Sequence, residues 1–256
     1  MSKRNTISPL KANPLRNPGQ SVQDEIDKNR EAFEHDAFML ISIAVIAGLS
    51  LYTWLMQTPP YMMFVVSSAG LVGYAIYALP KLRRRVRRHQ VLKQHRDGKR
   101  AVAEYLDRLR DHGFRVLHDV VGDGIYLDHV LVGPQGVYVI ETETVEKPAQ
   151  GDASILYDGV AIDIAGQTFG GDVVAQVTAK AAWLESFLQE STDISISVQP
   201  VMVFPGWEVA QPEGSASLWV IEPKTLEKML PEQPSVLKKG QIGLLSNALK
   251  QRIRSA

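Results

Sequence analysis

The sequence predicts an α/β domain, with a mixed β-sheet flanked by helices, that is preceded by a transmembrane helical hairpin. Two observations lead to this fold class: residues 37–80 carry no charged side chain, and apolar residues after position 98 recur at alternating helical and strand spacings. The 256 residues leave room for one ordinary domain beside the hairpin. A content of 45% hydrophobic and 22% charged residues is typical of a folded protein, and the absence of cysteine excludes disulfides and thiolate metal sites.

The N-terminal part of the chain is predicted to be a tail followed by the membrane hairpin. Residues 1–36 are polar and contain three prolines, which predicts a flexible cytoplasmic tail that becomes helical from about Val22. The uncharged run that follows is interrupted by the turn-forming residues 57–60. The two apolar segments that remain, 37–56 and 61–79, are each long enough to cross about 30 Å of hydrocarbon as a helix.

The charges are sorted along the chain, although the net charge is zero. Ten Lys or Arg residues and the single acid Asp97 lie between Lys81 and Arg100, whereas residues 101–256 hold twelve basic and twenty-one acidic side chains, a net charge of −9. Since the basic stretch directly follows the second apolar segment, the positive-inside rule places both termini in the cytoplasm and the chain in the cell (inner) membrane. We expect residues 81–96 to be a juxtamembrane linker that contacts anionic lipids, with a nucleic-acid site as the alternative. Small residues in the second apolar segment would allow an oligomer without requiring one.

Residues 97–256 are expected to form the α/β domain. Residues 98–112 have the apolar spacing of an amphipathic helix that Gly113 ends. Glycines on both sides of Pro134-Gln135, between two apolar runs, predict a tight hairpin turn. The predicted order is α-β-β-β-β-β-α-β-β-α. The predicted strands are Arg115–Val121, Ile125–Val132, Val137–Thr144, Ser154–Asp158, Val160–Ile164, Ile196–Phe204 and Ser217–Ile221. The other predicted helices are Val173–Gln189, Lys224–Leu230 and Gln241–Ile253.

Three carboxylates are predicted to meet on one face of the sheet. If Val132 pairs with Val137 across the turn, Asp128 lies directly opposite Glu141, and Glu143 shares their face because side chains alternate along a strand. Buried like charges in such proximity must be neutralised. A bound Mg²⁺ would do so with Asp128 and Glu141 as ligands. The alternatives are a register shifted by one residue, or a nearby Lys or Arg that pairs with the acids.

The same stretch resembles a known family. Residues 127–142, LDHVLVGPQGVYVIET, are similar to the NERD (nuclease-related domain) family, whose pattern reads approximately IDHLLVGPxGVFVIETK and which belongs to the PD-(D/E)XK nuclease-like superfamily. The resemblance covers about residues 97–255 and implies a restriction-endonuclease-like core. It also implies that Asp128 and Glu141 bind the catalytic Mg²⁺ and that DNA or RNA is the substrate.

Two residues depart from the family pattern. The family usually has lysine at the position of Glu143, and it commonly has glutamate at the position of Lys99. A cation is expected at such a site to stabilise the charge that develops on the phosphate. One interpretation is a non-catalytic binding or regulatory module that faces the cytoplasm, which the net negative charge of the domain favours. The other is a Mg²⁺-dependent nuclease in which Lys99 and Glu143 have exchanged roles, so the sequence leaves open whether the chain is an enzyme.

Other candidate groups give weaker signals. His129 is next to Asp128 but is expected to face the opposite side of the strand as a core histidine, and His118 has no metal-binding partner four residues away. The sequence contains no nucleophile-elbow, P-loop or dinucleotide-binding motif. Serine hydrolysis, nucleotide hydrolysis and dinucleotide binding therefore have no support.

Overall fold

The computed structural model describes residues 15–56, 61–122, 124–147, 154–169, 172–210 and 217–255. The chain divides into two compact units, Ser21–Gln94 on the one hand and Met1–Gln20 with His95–Ala256 on the other. The first unit is helical, and the second is an α/β unit whose helices flank mixed sheets. The predicted fold class is therefore confirmed, with two long apolar helices before the α/β unit. The predicted turn at residues 57–60 lies outside the described residues.

Two long helices carry the apolar segments. Helix α1 spans Gln20–Leu55 and helix α2 spans Tyr61–Arg108. Their apolar windows have mean hydropathies of 2.0 and 1.3, so both helices are long and apolar enough to cross a membrane. Only 11% and 6% of these windows are buried. The core helix of a soluble protein would instead be mostly buried, so these apolar surfaces are available to an apolar environment outside the protein.

Both helices extend beyond the apolar segments. Helix α1 begins at Gln20, close to the predicted helical start at about Val22, and α2 continues through Pro80 and the whole basic stretch 81–96. The predicted linker and residues 98–108 of the predicted helix 98–112 therefore belong to the same helix as the second apolar segment, and residues 109–112 form a 3-10 turn after it. The physical reason is that no Gly or Pro interrupts residues 81–96, which are rich in the good helix formers Lys, Arg, Leu and Gln.

The α/β unit contains two sheets. In chain order, α2 is followed by a 3-10 turn Leu109–His112, β1 Arg115–Gly122, β2 Ile125–Gly133, β3 Gly136–Thr142, β4 Ser154–Tyr157, β5 Ile162–Ile164, β6 Gln167–Phe169, α3 Val173–Thr192, β7 Val198–Val203, β8 Glu208–Ala210, β9 Trp219–Ile221, α4 Pro223–Met229, a 3-10 turn Leu230–Glu232 and α5 Lys239–Ser255. The larger sheet has the order β1-β2-β3-β7-β9, with antiparallel pairs up to β3 and parallel pairs beyond it. The smaller sheet has the order β6-β5-β4-β8.

The second sheet was not predicted. The sequence pattern predicted a single sheet. In the structure, β4 and β5 instead form a second sheet with two additional strands, β6 and β8. Each additional strand has three residues. Three residues are too few to show the two-residue periodicity by which a strand is recognised.

The hairpin of β2 and β3 has the predicted register. Val132 pairs with Val137, and Gly133 pairs with Gly136 across the turn. Gly136 has a φ of 136°, a conformation that residues with a Cβ rarely adopt, so this position requires glycine. The register fixes which side chains of the two strands face each side of the sheet.

Helices cover both faces of the larger sheet. On one face, Val130 of β2 belongs to a buried cluster with Leu184 of α3 and with residues of α5. On the other face, Leu131 packs in a cluster with Leu106 of α2 and with residues of α4. Burial of each large apolar side chain contributes roughly 1.5–3 kcal/mol to the stability of the fold. The strands that carry the candidate site are thus held rigidly between two apolar layers.

Candidate active site

Asp128 and Glu141 lie side by side at the end of the β2–β3 ladder. The ladder runs from the turn to the pair His129–Ile140, so the next opposed residues are Asp128 and Glu141. Both side chains are buried, with 7% of each residue exposed. The Asp128 amide donates to Glu141 Oε1 at 3.4 Å, and the Thr142 amide donates to Asp128 Oδ2 at 3.0 Å. The structure therefore brings together the two carboxylates that the sequence predicted to be adjacent.

Each of these carboxylates also contacts a lysine. Lys99 Nζ of α2 lies 2.5 Å from Asp128 Oδ1, and Lys180 Nζ of α3 lies 2.6 Å from Glu141 Oε2. The position of Lys99 agrees with the interpretation in which it enters the site. Lys180 was not predicted as a site residue, and the only sequence signal for it is its place on the buried face of its helix. It lies three residues after Val177 and four before Leu184 on the buried face of α3.

Gly98 allows Lys99 to reach the site. A Cβ at Gly98 would lie 1.9 Å from Cγ2 of Thr144, which follows β3. Such a distance is far shorter than any normal carbon–carbon contact, so α2 approaches this segment closely only because residue 98 has no side chain. Lys99, the next residue, is 84% excluded from solvent at its side chain as a result of this packing.

Glu143 lies near the pair but does not join it in an ion pair. Its backbone amide donates to the Val203 carbonyl at 3.0 Å, and its side chain is half-buried. Burial, and then the charge of Asp128, raise the pKa of Glu143, while Lys99 and Lys180 oppose this shift. Within the described part of the chain Glu143 forms no ion pair, so its carboxylate remains available for another partner.

Asp119 adds a carboxylate that the sequence did not reveal. The β1–β2 register pairs His118 with His129 and Val120 with Leu127, which places Asp119 opposite Asp128. Asp119 is 4% exposed, has a φ of 51° and forms an ion pair with Arg16. Asp is one of the few residues that tolerate this left-handed conformation, but the sequence pattern carries no sign of it.

The electrostatics of the site follow from burial and from the neighbouring charges. Burial, together with the charge of Asp128, raises the pKa of Glu141 to about 8, although Lys180 and Lys99 act in the opposite direction. Burial alone would lower the pKa of the Lys99 ammonium, but Asp128, with Glu141 and Asp119, raises it above its usual value. Lys99 therefore stays protonated at neutral pH, and its ammonium group compensates part of the negative charge of the carboxylates.

The donor set fits a hard divalent cation. Carboxylate oxygens are the ligands that Mg²⁺ prefers, and it commonly uses one or two carboxylates together with water and substrate phosphate. The described residues contain no group of three or more His, Asp or Glu side chains arranged to hold a metal ion. Asp128 and Glu141 are thus a two-carboxylate candidate, and a cation that enters here competes with the ammonium groups of Lys99 and Lys180.

The two histidines form a separate buried pair. His129 has no exposed surface, and its Nδ1 lies 2.9 Å from Nδ1 of His118. Burial lowers the pKa of both rings. His118 Nε2 lies 3.4 Å from Asp107 Oδ1. Because alternation along β2 directs His129 away from the Asp128 side, the pair belongs to the core rather than to the carboxylate site.

The chain was also compared with known proteins. No curated protein matches it, and no solved structure matches it. A family model described as the nuclease-related domain, NERD, matches residues 94–205. This segment includes Lys99, Asp119, Asp128, Glu141, Glu143 and Lys180. The part of the chain that contains the whole carboxylate–lysine site therefore matches the nuclease-related domain family, as the sequence resemblance predicted.

Proposed function

We propose that the chain is a membrane-anchored, Mg²⁺-dependent nuclease whose nuclease-related domain faces the cytoplasm. The observation that carries the proposal is the 2.5 Å contact between Lys99 Nζ and Asp128 Oδ1. The loss of the usual lysine at position 143 argued for an inert domain, because a cation was missing. Lys99 and Lys180 supply two cations beside the carboxylates, which removes that objection.

The chain's own residues can perform phosphodiester hydrolysis. When bound, Mg²⁺ would be held by Asp128 and Glu141 and would polarise the phosphate and the attacking water. The ammonium groups of Lys99 and Lys180 would stabilise the negative charge that develops on the phosphate oxygens. Glu143 would accept the proton of the water, and burial, which raises its pKa, makes it a stronger base than an ordinary glutamate. The oxygen of water bonds to phosphorus while the bond to the leaving sugar oxygen breaks, and that oxygen takes a proton from solvent.

A basic cleft supports nucleic acid as the substrate. The cleft has a volume of about 250 Å³ and is lined by the cations Arg16, Arg110, Arg115 and Lys250. Arg16 also pairs with Asp119, whose charge acts on Lys99, so the cleft is connected to the site by this interaction. Within the described residues, Arg115 and Lys250 have no carboxylate partner. The cleft can therefore neutralise backbone phosphates locally, although the domain as a whole is acidic.

The membrane placement rests on α1 and α2. Residues 37–56 and 61–79 would cross the bilayer, since their apolar side chains are largely exposed, as with Phe38 at 67% and Ile76 at 70%. Residues 81–96 would lie at the cytoplasmic surface, with both termini on that side of the inner membrane. Residues 97–256 would be the tethered domain.

A non-catalytic binding module is the second candidate. The observation that favours it is the pairing of Asp128 with Lys99 and of Glu141 with Lys180. These contacts neutralise part of the buried negative charge without a metal ion, as expected of a site that has become structural. In this case the domain would bind nucleic acid or a protein partner without cleaving it.

A cleavage assay on the full chain distinguishes the two candidates. Purified protein in detergent would be incubated with supercoiled plasmid, single-stranded DNA or RNA, with Mg²⁺ or Mn²⁺. The nuclease proposal predicts metal-dependent cleavage that Glu141→Ala lowers by about a hundredfold or more. Glu190→Ala, on the exposed side of α3, should retain full activity. Folded wild-type protein that cleaves none of these substrates with either metal would overturn the nuclease proposal in favour of the binding module.

A further inference from the structure

A basic cavity lies between α1 and α2 within the helical unit. It has a volume of about 500 Å³. Five cations line it: Lys28 of α1, and Lys81, Arg84, Arg85 and Arg88 of α2. Glu25 and Asn29 complete the lining. The carboxylate–lysine site and the basic cleft of the α/β unit share no residue with this cavity.

Polar contacts between the two helices frame the cavity. Asp36 is 8% exposed, and its Oδ2 lies 3.1 Å from Arg85 Nη2 and 3.4 Å from Lys81 Nζ. Asn29 Nδ2 donates to the Arg85 carbonyl at 3.1 Å, and Arg88 pairs with Glu25. These contacts join the two helices on both sides of the cavity.

The cavity retains an excess of positive charge. Among the residues that the structure describes, two carboxylates pair with its cations, Glu25 on its wall and Asp36 beside it. In the described part of the chain, Lys28 and Arg84 form no ion pair, and both side chains are exposed. A phosphate group is the ligand that such a set of ammonium and guanidinium groups recognises.

The surroundings of the cavity indicate which kind of molecule would carry the phosphate group. The uncharged part of α1 begins at Ala37, directly after Asp36, and that of α2 ends at Pro80, directly before Lys81. Tyr77, one turn before the cavity, is 63% exposed and holds the Lys81 ammonium 5.4 Å from its ring centroid. A cationic cavity thus borders directly on exposed apolar helix surface. This combination fits a molecule with a phosphate at one end and hydrocarbon chains at the other.

We propose that the cavity between α1 and α2 binds the phosphate headgroup of an anionic phospholipid, whose acyl chains lie along the apolar surfaces of the two helices. This inference rests on the membrane placement proposed above and is independent of nuclease activity. It differs from a general attraction of the basic stretch to the membrane surface, since it assigns binding to particular side chains. Cations of the same stretch outside the cavity should contribute much less.

Lipid binding to variants with equal charge tests this assignment. The full chain in a neutral detergent would be titrated with phosphatidylglycerol, phosphatidylcholine or inorganic phosphate, and binding would be measured by native mass spectrometry. The test variant is Lys28→Gln with Arg84→Gln. The control is Arg83→Gln with Arg87→Gln, which removes two exposed charges from α2 outside the cavity. Far-ultraviolet circular dichroism would verify that both variants are helical.

The expected result is a clear preference of the wild-type protein for phosphatidylglycerol over phosphatidylcholine. The test variant should lose roughly tenfold or more in affinity, as expected for two charges near a lipid phosphate, and the control less than about threefold. Equal losses in the two variants, no lipid preference, or complete competition by millimolar inorganic phosphate would each overturn the proposal. Alkaline carbonate extraction of the native membranes tests the membrane placement separately. A chain that stays in the membrane but does not prefer phosphatidylglycerol contradicts only the headgroup site.

Discussion

At the scale of single residues, the account depends on the cations that surround Asp128. Lys99→Ala removes the ammonium group 2.5 Å from its carboxylate, and Glu143→Lys places a further cation where the proposal requires a base. Each substitution should lower metal-dependent cleavage by about a hundredfold or more, since the first removes a charge-stabilising group and the second removes the base. The measurement is the initial rate of plasmid nicking by protein whose melting curve shows that it is folded. Unchanged rates in both variants would remove the proposed exchange of roles.

Glu141 gives the site a distinctive pH dependence. Its pKa of about 8 in the folded protein lies above the ordinary value of 4.5, because burial and Asp128 disfavour its charge. Between these two values the folded state binds more protons at this group than the unfolded state, so its contribution to stability falls as the pH rises toward 8. Glu141→Gln, which does not titrate, should therefore gain stability relative to wild type between pH 5 and pH 9. Thermal unfolding at several pH values tests this, and a difference that does not change with pH would contradict the assigned pKa.

At the scale of elements, the close contact of α2 with the segment after β3 determines where Lys99 lies. Gly98→Ala would put a methyl group 1.9 Å from Cγ2 of Thr144, so the helix and the segment must separate. The substitution should lower the free energy of unfolding by about 1–3 kcal/mol, as overpacking does in other proteins. It should also lower the cleavage rate, because Lys99 is displaced. Adding Thr144→Ser removes the opposing methyl group and should restore most of the stability.

Gly243→Ala provides the matched control for this substitution. Gly243 lies inside helix α5, and a Cβ there would meet no atom within 4 Å. This change should leave the melting temperature unchanged or raise it, since alanine favours a helix over glycine by about 1 kcal/mol. If Gly98→Ala were equally harmless in thermal unfolding, the close contact would have no role in positioning Lys99.

The elements also show what the sequence could and could not predict. The turn around Pro134 and the alternation along the strands were sufficient to place Asp128 beside Glu141, because the register of a tight hairpin propagates along both strands. Lys180 was missed because it comes from a helix 39 residues away from Glu141, and sequence periodicity does not say which strand a helix covers. The place of Asp119 in the site was missed because its backbone has a left-handed conformation, which the local sequence does not predict.

At the scale of the whole molecule, the proposed topology predicts which positions are exposed on each side of the membrane. The chain contains no cysteine, so single cysteines can be introduced without background. In intact spheroplasts, a membrane-impermeant thiol reagent should label Thr58→Cys, between the two apolar segments, and should not label Ser2→Cys or Ser255→Cys until the cells are lysed. Labelling of either terminal cysteine in intact spheroplasts would contradict the cytoplasmic placement of that terminus.

The central claim is that the carboxylate–lysine site is a metal-dependent nuclease centre, and the most direct test measures binding and chemistry on the same sample. Mg²⁺ would be titrated calorimetrically into the full chain in detergent, while plasmid nicking is followed over the same concentrations. The account predicts one binding event that is lost in Glu141→Ala, with cleavage that rises over the concentration range in which Mg²⁺ binds. Folded wild-type protein that neither binds Mg²⁺ nor nicks DNA, or cleavage that persists undiminished in Glu141→Ala, would contradict it.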